Sequence, residues 1–435
     1  MTEITLYKHQ QSAVDKFANR GQILAHEMGL GKTLTAASVG ALSDIRCLAV
    51  CPARLKHSWK NELALIGEND VQLIETGKDV IGDTKWVIIT YGLLDKFMDQ
   101  IEQGDFKRVF LDESHYMKGK FTISKTGQIK GTKRAAAGVV TAAKIGNALL
   151  LTGTPVMNRP IELWNQLVAI GAEITKEMTR SHFSQRYCGG HLKQMGYRRF
   201  WWEDGATRVD ELRARISGDM DIVKKADVLD LPEKVVNIKT IDFTPIQQKE
   251  YDRAWDEYLA WVEANPEYSN KDVQNVTNAK QLIEIGKLKQ VTSAAKVQAV
   301  IDDIENLAPD EQLVILVEYV KTRDALNEAL QKAGVSWGTL NQDGSVEKFQ
   351  AGEIQVFTGN IVAAGTGLNL QNSNLLWIID RNWVPAINLQ AEDRIYRIGQ
   401  EKKAFITYYE IEGTVDQDIK NATKRKEKVI NRLMK

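Results

Sequence analysis

The chain has 435 residues, 43% of them hydrophobic and 26% charged, close to the average for folded globular domains, which excludes a disordered or fibrous protein. Its 57 Lys and Arg residues balance its 57 Asp and Glu residues, so a globally basic nucleic-acid binder is excluded and any grip on a polyanion has to come from a local groove. No apolar run approaches the roughly 18–20 residues that span a bilayer, and Met1-Thr2-Glu3-Ile4-Thr5-Leu6 does not read as an export signal; the expected location is the cytoplasm.

The first apolar run, Gln22-Ile23-Leu24-Ala25, reads as a strand, and the loop after it opens a helix at Lys32-Thr33. Further strand-like runs follow at Arg46-Cys47-Leu48-Ala49-Val50, Trp86-Val87-Ile88-Ile89, Arg108-Val109-Phe110-Leu111 and Ala148-Leu149-Leu150-Leu151. Near-continuous Val, Ile and Leu in strands separated by helices marks a parallel sheet covered on both faces. Cys47 and Cys51 lie within one such run and read as buried thiols rather than as metal ligands with His57. With Cys188 they are too few for a disulfide framework, which fits a reducing compartment.

From about Glu162 to Ala299 the pattern turns mostly helical, with an amphipathic stretch from Gln247 to Glu263 and a polar break from Asn265 to Asn278. The alternation restarts at Gln312-Leu313-Val314-Ile315-Leu316-Val317, Ile354-Gln355-Val356-Phe357, Leu375-Leu376-Trp377-Ile378-Ile379 and Ala404-Phe405-Ile406-Thr407-Tyr408-Tyr409. Lys424-Arg425-Lys426 reads as the solvated face of a C-terminal helix. The expected plan is two α/β lobes in tandem, residues 1–170 and 301–435, with an inserted, mostly helical region over 171–300.

Between the first strand and its helix stands His26-Glu27-Met28-Gly29-Leu30-Gly31-Lys32-Thr33, the context of a phosphate-binding loop. Glycines let backbone N–H groups approach phosphates, a lysine reaches the β- and γ-phosphates, and a hydroxyl binds Mg²⁺. Met28, Gly29, Leu30, Gly31, Lys32 and Thr33 are the expected ATP contacts; the general pattern has glycine where His26 stands. Asp112-Glu113-Ser114-His115 follows a strand, so both carboxylates emerge at its C-terminal end, where α/β sheets bind ligands. Asp112, with Thr33, would hold Mg²⁺, and Glu113 would orient or deprotonate the attacking water.

With Leu151-Thr152-Gly153-Thr154-Pro155 and Gln390-Ala391-Glu392-Asp393-Arg394-Ile395-Tyr396-Arg397-Ile398-Gly399-Gln400 added, the chain resembles superfamily 2 helicases, and within them the Swi/Snf-type DNA translocases. The motifs span Leu6 to Gln400. The resemblance implies two tandem RecA-like parallel-sheet lobes, ATP and Mg²⁺ as nucleotide and cation, and double-stranded or forked DNA as partner of a monomer, with no other small-molecule substrate. It implies that Gln10 reads adenine through an amide that both donates and accepts, and that Gln390, Arg394, Arg397 and Gly365 complete the ATP site from the second lobe. A planar guanidinium suits the charge of a transferring phosphoryl group. By the same resemblance Arg54, Thr90, Tyr91, Thr152 and Thr154 in the first lobe, and Thr366, Gly367 and Asn369 in the second, contact nucleic acid.

Phe183-Ser184-Gln185-Arg186-Tyr187-Cys188, Gly205-Ala206-Thr207 and Lys224-Lys225-Ala226-Asp227-Val228-Leu229-Asp230-Leu231-Pro232 resemble the annealing-helicase, fork-remodelling branch. The cluster Tyr197-Arg198-Arg199-Phe200-Trp201-Trp202 suits either stacking on DNA or packing within a protrusion. One departure is the stretch between Asn341 and Phe349, shorter than the family's usual helix. The expected function is a DNA-stimulated ATPase that tracks along duplex DNA. A strand-separating helicase is the alternative within the superfamily. A silent scaffold would have lost Lys32, Glu113 or Arg394, and a phosphate-loop kinase has no use for the Gln390 to Gln400 block.

Overall fold

The runs of Val, Ile and Leu become the strands of two separate sheets in the computed structural model, which describes residues 5–17, 21–123, 129–195, 198–265, 279–340, 342–364 and 368–434. The chain divides into two units, Met1–His191 with Trp201–Leu229 and Val429–Lys435, and Leu192–Phe200 with Asp230–Lys428. Among the described residues no helix is long and apolar enough to cross a membrane.

The first unit holds β1 (Gln22–His26), β2 (Cys47–Cys51), β3 (Val71–Leu73), β4 (Trp86–Thr90), β5 (Arg108–Asp112), β6 (Ala148–Leu151) and β7 (Met220–Val223). Their spatial order is β7-β1-β6-β5-β2-β4-β3, and the neighbours pair in parallel. Every residue of β1, β2, β4 and β5 is buried, which is why these strands read as unbroken apolar runs. Alternate side chains still go to opposite faces: Leu48, Val50, Val109 and Leu111 enter one core layer, while Ala49, Cys51, Ile88 and Phe110 enter the other.

The second unit holds β8 (Lys234–Ile241), β9 (Leu313–Val317), β10 (Trp337–Thr339), β11 (Val356–Asn360), β12 (Leu375–Ile378) and β13 (Ala404–Ile411), in the order β8-β13-β12-β9-β11-β10. These pairings are parallel as well. Two parallel α/β sheets in tandem are the expected fold class.

The intervening stretch is less purely helical than its pattern suggests. It does carry long helices, Pro245–Ala264 and Ala279–Ala295, the first begun by a capping box between Thr244 and Gln247 with Pro245 in its first turn. It also supplies an outer strand to each sheet: β7 lies beside β1, Ile23 opposite Met220, and β8 runs eight residues along β13. The boundary between units falls at Leu229 and Asp230, inside the stretch rather than at its ends. β8 mixes Val and Ile with Lys, Asn and Thr on an exposed sheet edge, so it lacks the unbroken apolar run that betrays the central strands. Of the polar break, residues 266–278 lie outside the described residues.

Candidate active site

In the first unit the sequence from β1 to helix α2 (Lys32–Ala41) makes the phosphate-loop turn. Gly29 and Gly31 have φ of 81° and 70°, left-handed conformations that glycine adopts without the Cβ penalty. A Cβ on Gly31 would also lie 2.3 Å from Nε2 of Gln10. Helix α1 (Lys8–Phe17) grips this loop from the side: His9 Nε2 lies 3.1 Å from the Leu30 carbonyl, and Gln10 Nε2 donates to the Gly31 carbonyl at 3.3 Å. The Gln10 carbonyl oxygen accepts from the Tyr7 amide at 2.8 Å. The glutamine expected to read a base edge thus braces the loop through its Nε2 and the turn at Tyr7 through its Oε1. Lys32 Nζ donates to the carbonyls of His26 and Glu27 at 3.0 and 3.3 Å.

His26, the departure from the general loop pattern, is buried, and Nε2 lies 2.7 Å from Asp221 on β7, a residue that Lys16 also pairs at 2.7 Å. Burial pulls the imidazole below its ordinary 6.5, against the raising effect of Asp221. The hydrogen bond from His26, together with Lys16, draws the Asp221 carboxyl down to about 2 although partial burial opposes it. For His26 the native state favours the neutral ring, so its stabilising contribution is complete above 6.5 and is lost as pH falls below it. The Asp221 contribution persists until the pH drops below 3.8 toward 2. We expect the thermal midpoint of the first unit to fall from about pH 7 to about pH 5, and less steeply in His26→Gln, as read by circular dichroism.

Asp112 ends β5 and is buried; its Oδ2 accepts from the indole N–H of Trp59 at 2.8 Å and its Oδ1 from the Glu113 amide at 2.9 Å. Burial and the neighbouring Glu113 raise its carboxyl to about 6, with Trp59 and Lys32 opposing. Trp59, on helix α3 (Lys56–Leu65) and packed against Trp86 and Phe110, is a residue that motif reading missed, because a lone tryptophan in a helix has no sequence signature for a carboxylate partner. Trp59→Phe keeps most of the ring volume and removes the donor. It should cost about 1–3 kcal/mol in denaturant unfolding and slow hydrolysis by loosening Asp112.

Glu113 has a left-handed backbone, φ 49° and ψ 52°, a strained conformation for a non-glycine residue of the kind that concentrates at active sites. Its Oε2 lies 3.2 Å from His115 Nδ1, and the same nitrogen lies 3.4 Å from the Thr152 hydroxyl. That hydroxyl accepts from the Thr154 amide at 3.1 Å. A second link is again one that sequence reading did not find: buried Gln166 accepts from Ser114 Oγ at 2.8 Å and donates to the Pro155 carbonyl at 2.7 Å. Gly153 completes the assembly by close approach, since a Cβ there would meet Met28 Cγ at 2.8 Å and Lys32 Nζ at 3.3 Å. The phosphate loop, the acidic quartet and the Thr152 to Pro155 turn therefore form one packed constellation.

The first-lobe residues expected at nucleic acid divide. Arg54 is exposed in the short 3₁₀ turn Ala53–Leu55. Tyr91 is 2% exposed and stacks on Tyr116 at 5.7 Å, Thr152 is fully buried, and Thr90 is 8% exposed. The side chains of Tyr91, Thr90 and Thr152 are buried, because post-strand residues here close the core under the loops. Trp201 likewise donates to Ser184 Oγ at 2.8 Å, within a network in which Arg180 binds Glu203 at 2.6 and 2.9 Å; packing accounts for this member of the aromatic cluster. Tyr197, which opens that cluster, lies outside the described residues.

In the second unit Gln390 lies on the helix Pro385–Glu392, and Arg394 is 5% exposed. Arg394 donates to the carbonyls of Gln390 at 3.0 Å and Leu368 at 3.1 Å. Arg397 donates to Leu368 at 3.3 Å, and its burial lowers the guanidinium's proton affinity. Asn369 is exposed. Gly365, Thr366 and Gly367 lie outside the described residues.

A family model described as the SNF2-related domain matches residues 6–297, and one described as the helicase conserved C-terminal domain matches residues 295–399. The Bos taurus protein DNA annealing helicase and endonuclease ZRANB3 is 29% identical over 419 residues, 91% of this chain and 37% of that protein. The Bos taurus SWI/SNF-related matrix-associated actin-dependent regulator of chromatin subfamily A-like protein 1 is 28% identical over 448 residues, 98% of this chain and 44% of that protein. The chain thus spans less than half the length of these curated relatives. Among solved structures, the Sulfolobus solfataricus SWI2/SNF2 ATPase core in complex with dsDNA matches with a TM-score of 0.45 and 20% identity, covering 98% of this chain and 92% of that one.

Proposed function

The chain belongs to the SNF2-related domain family, and from that premise we propose that it is a nucleic-acid-stimulated ATPase that moves along duplex or forked DNA. The observation that carries this reading is the contact path from Glu113, whose Oε2 lies 3.2 Å from His115 Nδ1, through the His115–Thr152 hydrogen bond to the Thr154 amide. It joins the hydrolytic carboxylate to a turn that the family resemblance assigns to the nucleic-acid side, so a shift of that turn can change the posture of Glu113.

The residues present fit MgATP. Gly29 and Gly31 free the loop backbone to approach phosphates, and Lys32 exchanges two loop carbonyls for the γ-phosphate. Asp112, raised to about 6 by burial and by Glu113, is a carboxylate that an adjacent cation would keep ionised; Thr33 is its partner in holding Mg²⁺. When bound, Mg²⁺ supplies charge neutralisation across the β- and γ-phosphates. Glu113 orients the water and accepts its proton, while His115 holds the carboxylate. Arg394 and Arg397 donate to the developing charge of the phosphoryl group.

The name of one relative, DNA annealing helicase and endonuclease ZRANB3, supports DNA as the track and annealing as its use. Steady-state ATPase titrations with single-stranded DNA, duplex, fork and RNA test the proposal. Duplex or fork should stimulate strongly and RNA weakly; equal stimulation by RNA, or none by any nucleic acid, refutes it. Separation of a tailed duplex without re-annealing would favour the strand-separating alternative.

A further inference from the structure

Between Glu113 and Glu162 the sequence has no Asp or Glu at all, yet it carries eight Lys or Arg residues. A chain with balanced charges would place about six acidic residues in a stretch of that length. The described part of this stretch that reaches solvent includes a small antiparallel hairpin, Phe121–Ile123 against Ile129–Gly131, the start of helix α4 (Lys133–Ile145), and the end of that helix, where Lys144 pairs with Glu102.

The base of the hairpin is built rather than loose. The Thr132 amide donates to the Lys120 carbonyl at 3.0 Å, and Asn165 Nδ2 donates to the Gly119 carbonyl at 2.9 Å. Gly131 has φ 103°, and a Cβ there would meet the Lys120 carbonyl at 2.3 Å. On this base Lys118, Lys120, Lys130, Lys133 and Arg134 are all exposed. Local acids offset this charge in part. Lys133 pairs Asp95 at 3.6 Å, while Glu203, whose carboxyl senses Lys120, is held bidentately by Arg180. Lys133 and Arg134 also open a helix with no acidic residue in its first turn, a placement that the helix macrodipole disfavours. The patch adjoins the Thr90-Tyr91-Gly92 segment, since Arg134 lies 5.7 Å over the Tyr116 ring and that ring stacks on Tyr91.

We propose that this basic hairpin and the first turn of α4 form a surface that holds the phosphate backbone of duplex DNA. The inference rests on the proposed DNA-dependent function and adds to it a contact surface outside the motifs of the family resemblance. Its chemistry is charge against backbone, without base contacts, so it stabilises any sequence alike and releases counterions on binding. Residues 124–128 lie outside the described residues.

Duplex affinity measured over a series of salt concentrations tests it. Lys120→Gln with Lys130→Gln should make the plot of log affinity against log salt shallower by about one unit for each phosphate left unneutralised. Lys120→Arg with Lys130→Arg should restore the parental slope. Lys78→Gln with Lys176→Gln, which removes two exposed charges elsewhere in the first unit, should leave the slope unchanged. A parental slope in the Lys120 and Lys130 glutamine pair overturns the surface while the function stands, as does an equal flattening in the Lys78 and Lys176 pair. Absence of duplex binding by the parent protein overturns both.

Discussion

Glu113→Gln is expected to slow ATP hydrolysis by about 10²–10⁴-fold while nucleotide binding survives. The substitution keeps the shape of the side chain and its place 3.2 Å from His115, but an amide cannot accept the proton of the attacking water. The left-handed backbone at this residue fixes the side chain independently of its charge, so the variant should fold and bind as the parent does. Single-turnover hydrolysis with a fluorescent-nucleotide titration separates the two effects. Turnover near the parental rate would remove Glu113 from its role.

Arg397→Ala should lower turnover by about 10³-fold or more with nucleotide affinity little changed, because Lys32 and the loop backbone remain. Arg394→Ala should show the same loss and a lower melting temperature besides. The difference follows from their surroundings: Arg394 is 5% exposed and ties Gln390 to Leu368, whereas Arg397 holds Leu368 through a longer bond. Removing Arg394 takes a donor from the Gln390 carbonyl and leaves Leu368 the longer bond from Arg397. Calorimetry alongside ATPase assays distinguishes the pair; equal melting temperatures would show that Arg394 has no bracing role.

The chemistry of the first unit was legible because phosphate binding constrains sequence locally. Gly29, Gly31, Lys32 and Thr33 are adjacent, and Asp112 and Glu113 follow a strand whose burial makes it an unmistakable apolar run. What holds those residues was not legible. Trp59 reaches Asp112 from 53 positions away and Gln166 reaches Ser114 from 52, and no local pattern encodes a partner brought near only by the sheet order. The departure at His26 gained its reason the same way, through Asp221 on β7, 195 positions on. Tyr91 shows the converse: a motif marks where a segment lies, but which side of the backbone faces the core is decided by packing, here against Tyr116. The outer strands β7 and β8 were hidden because an edge strand need not be apolar on both faces.

The sheet order of the first unit sets a timetable for synthesis. Strand β1, made before every other strand of its sheet, lies between β6 and β7 and cannot gain its second neighbour until residue 223 has left the ribosome. Leu433 is fully buried in the same unit's core, and that side chain is translated after every residue of the second sheet. The nucleotide-binding unit is therefore begun before the second sheet and completed after it. During elongation its open edge beside β1 is the exposed strand for which chaperone binding and misassociation compete.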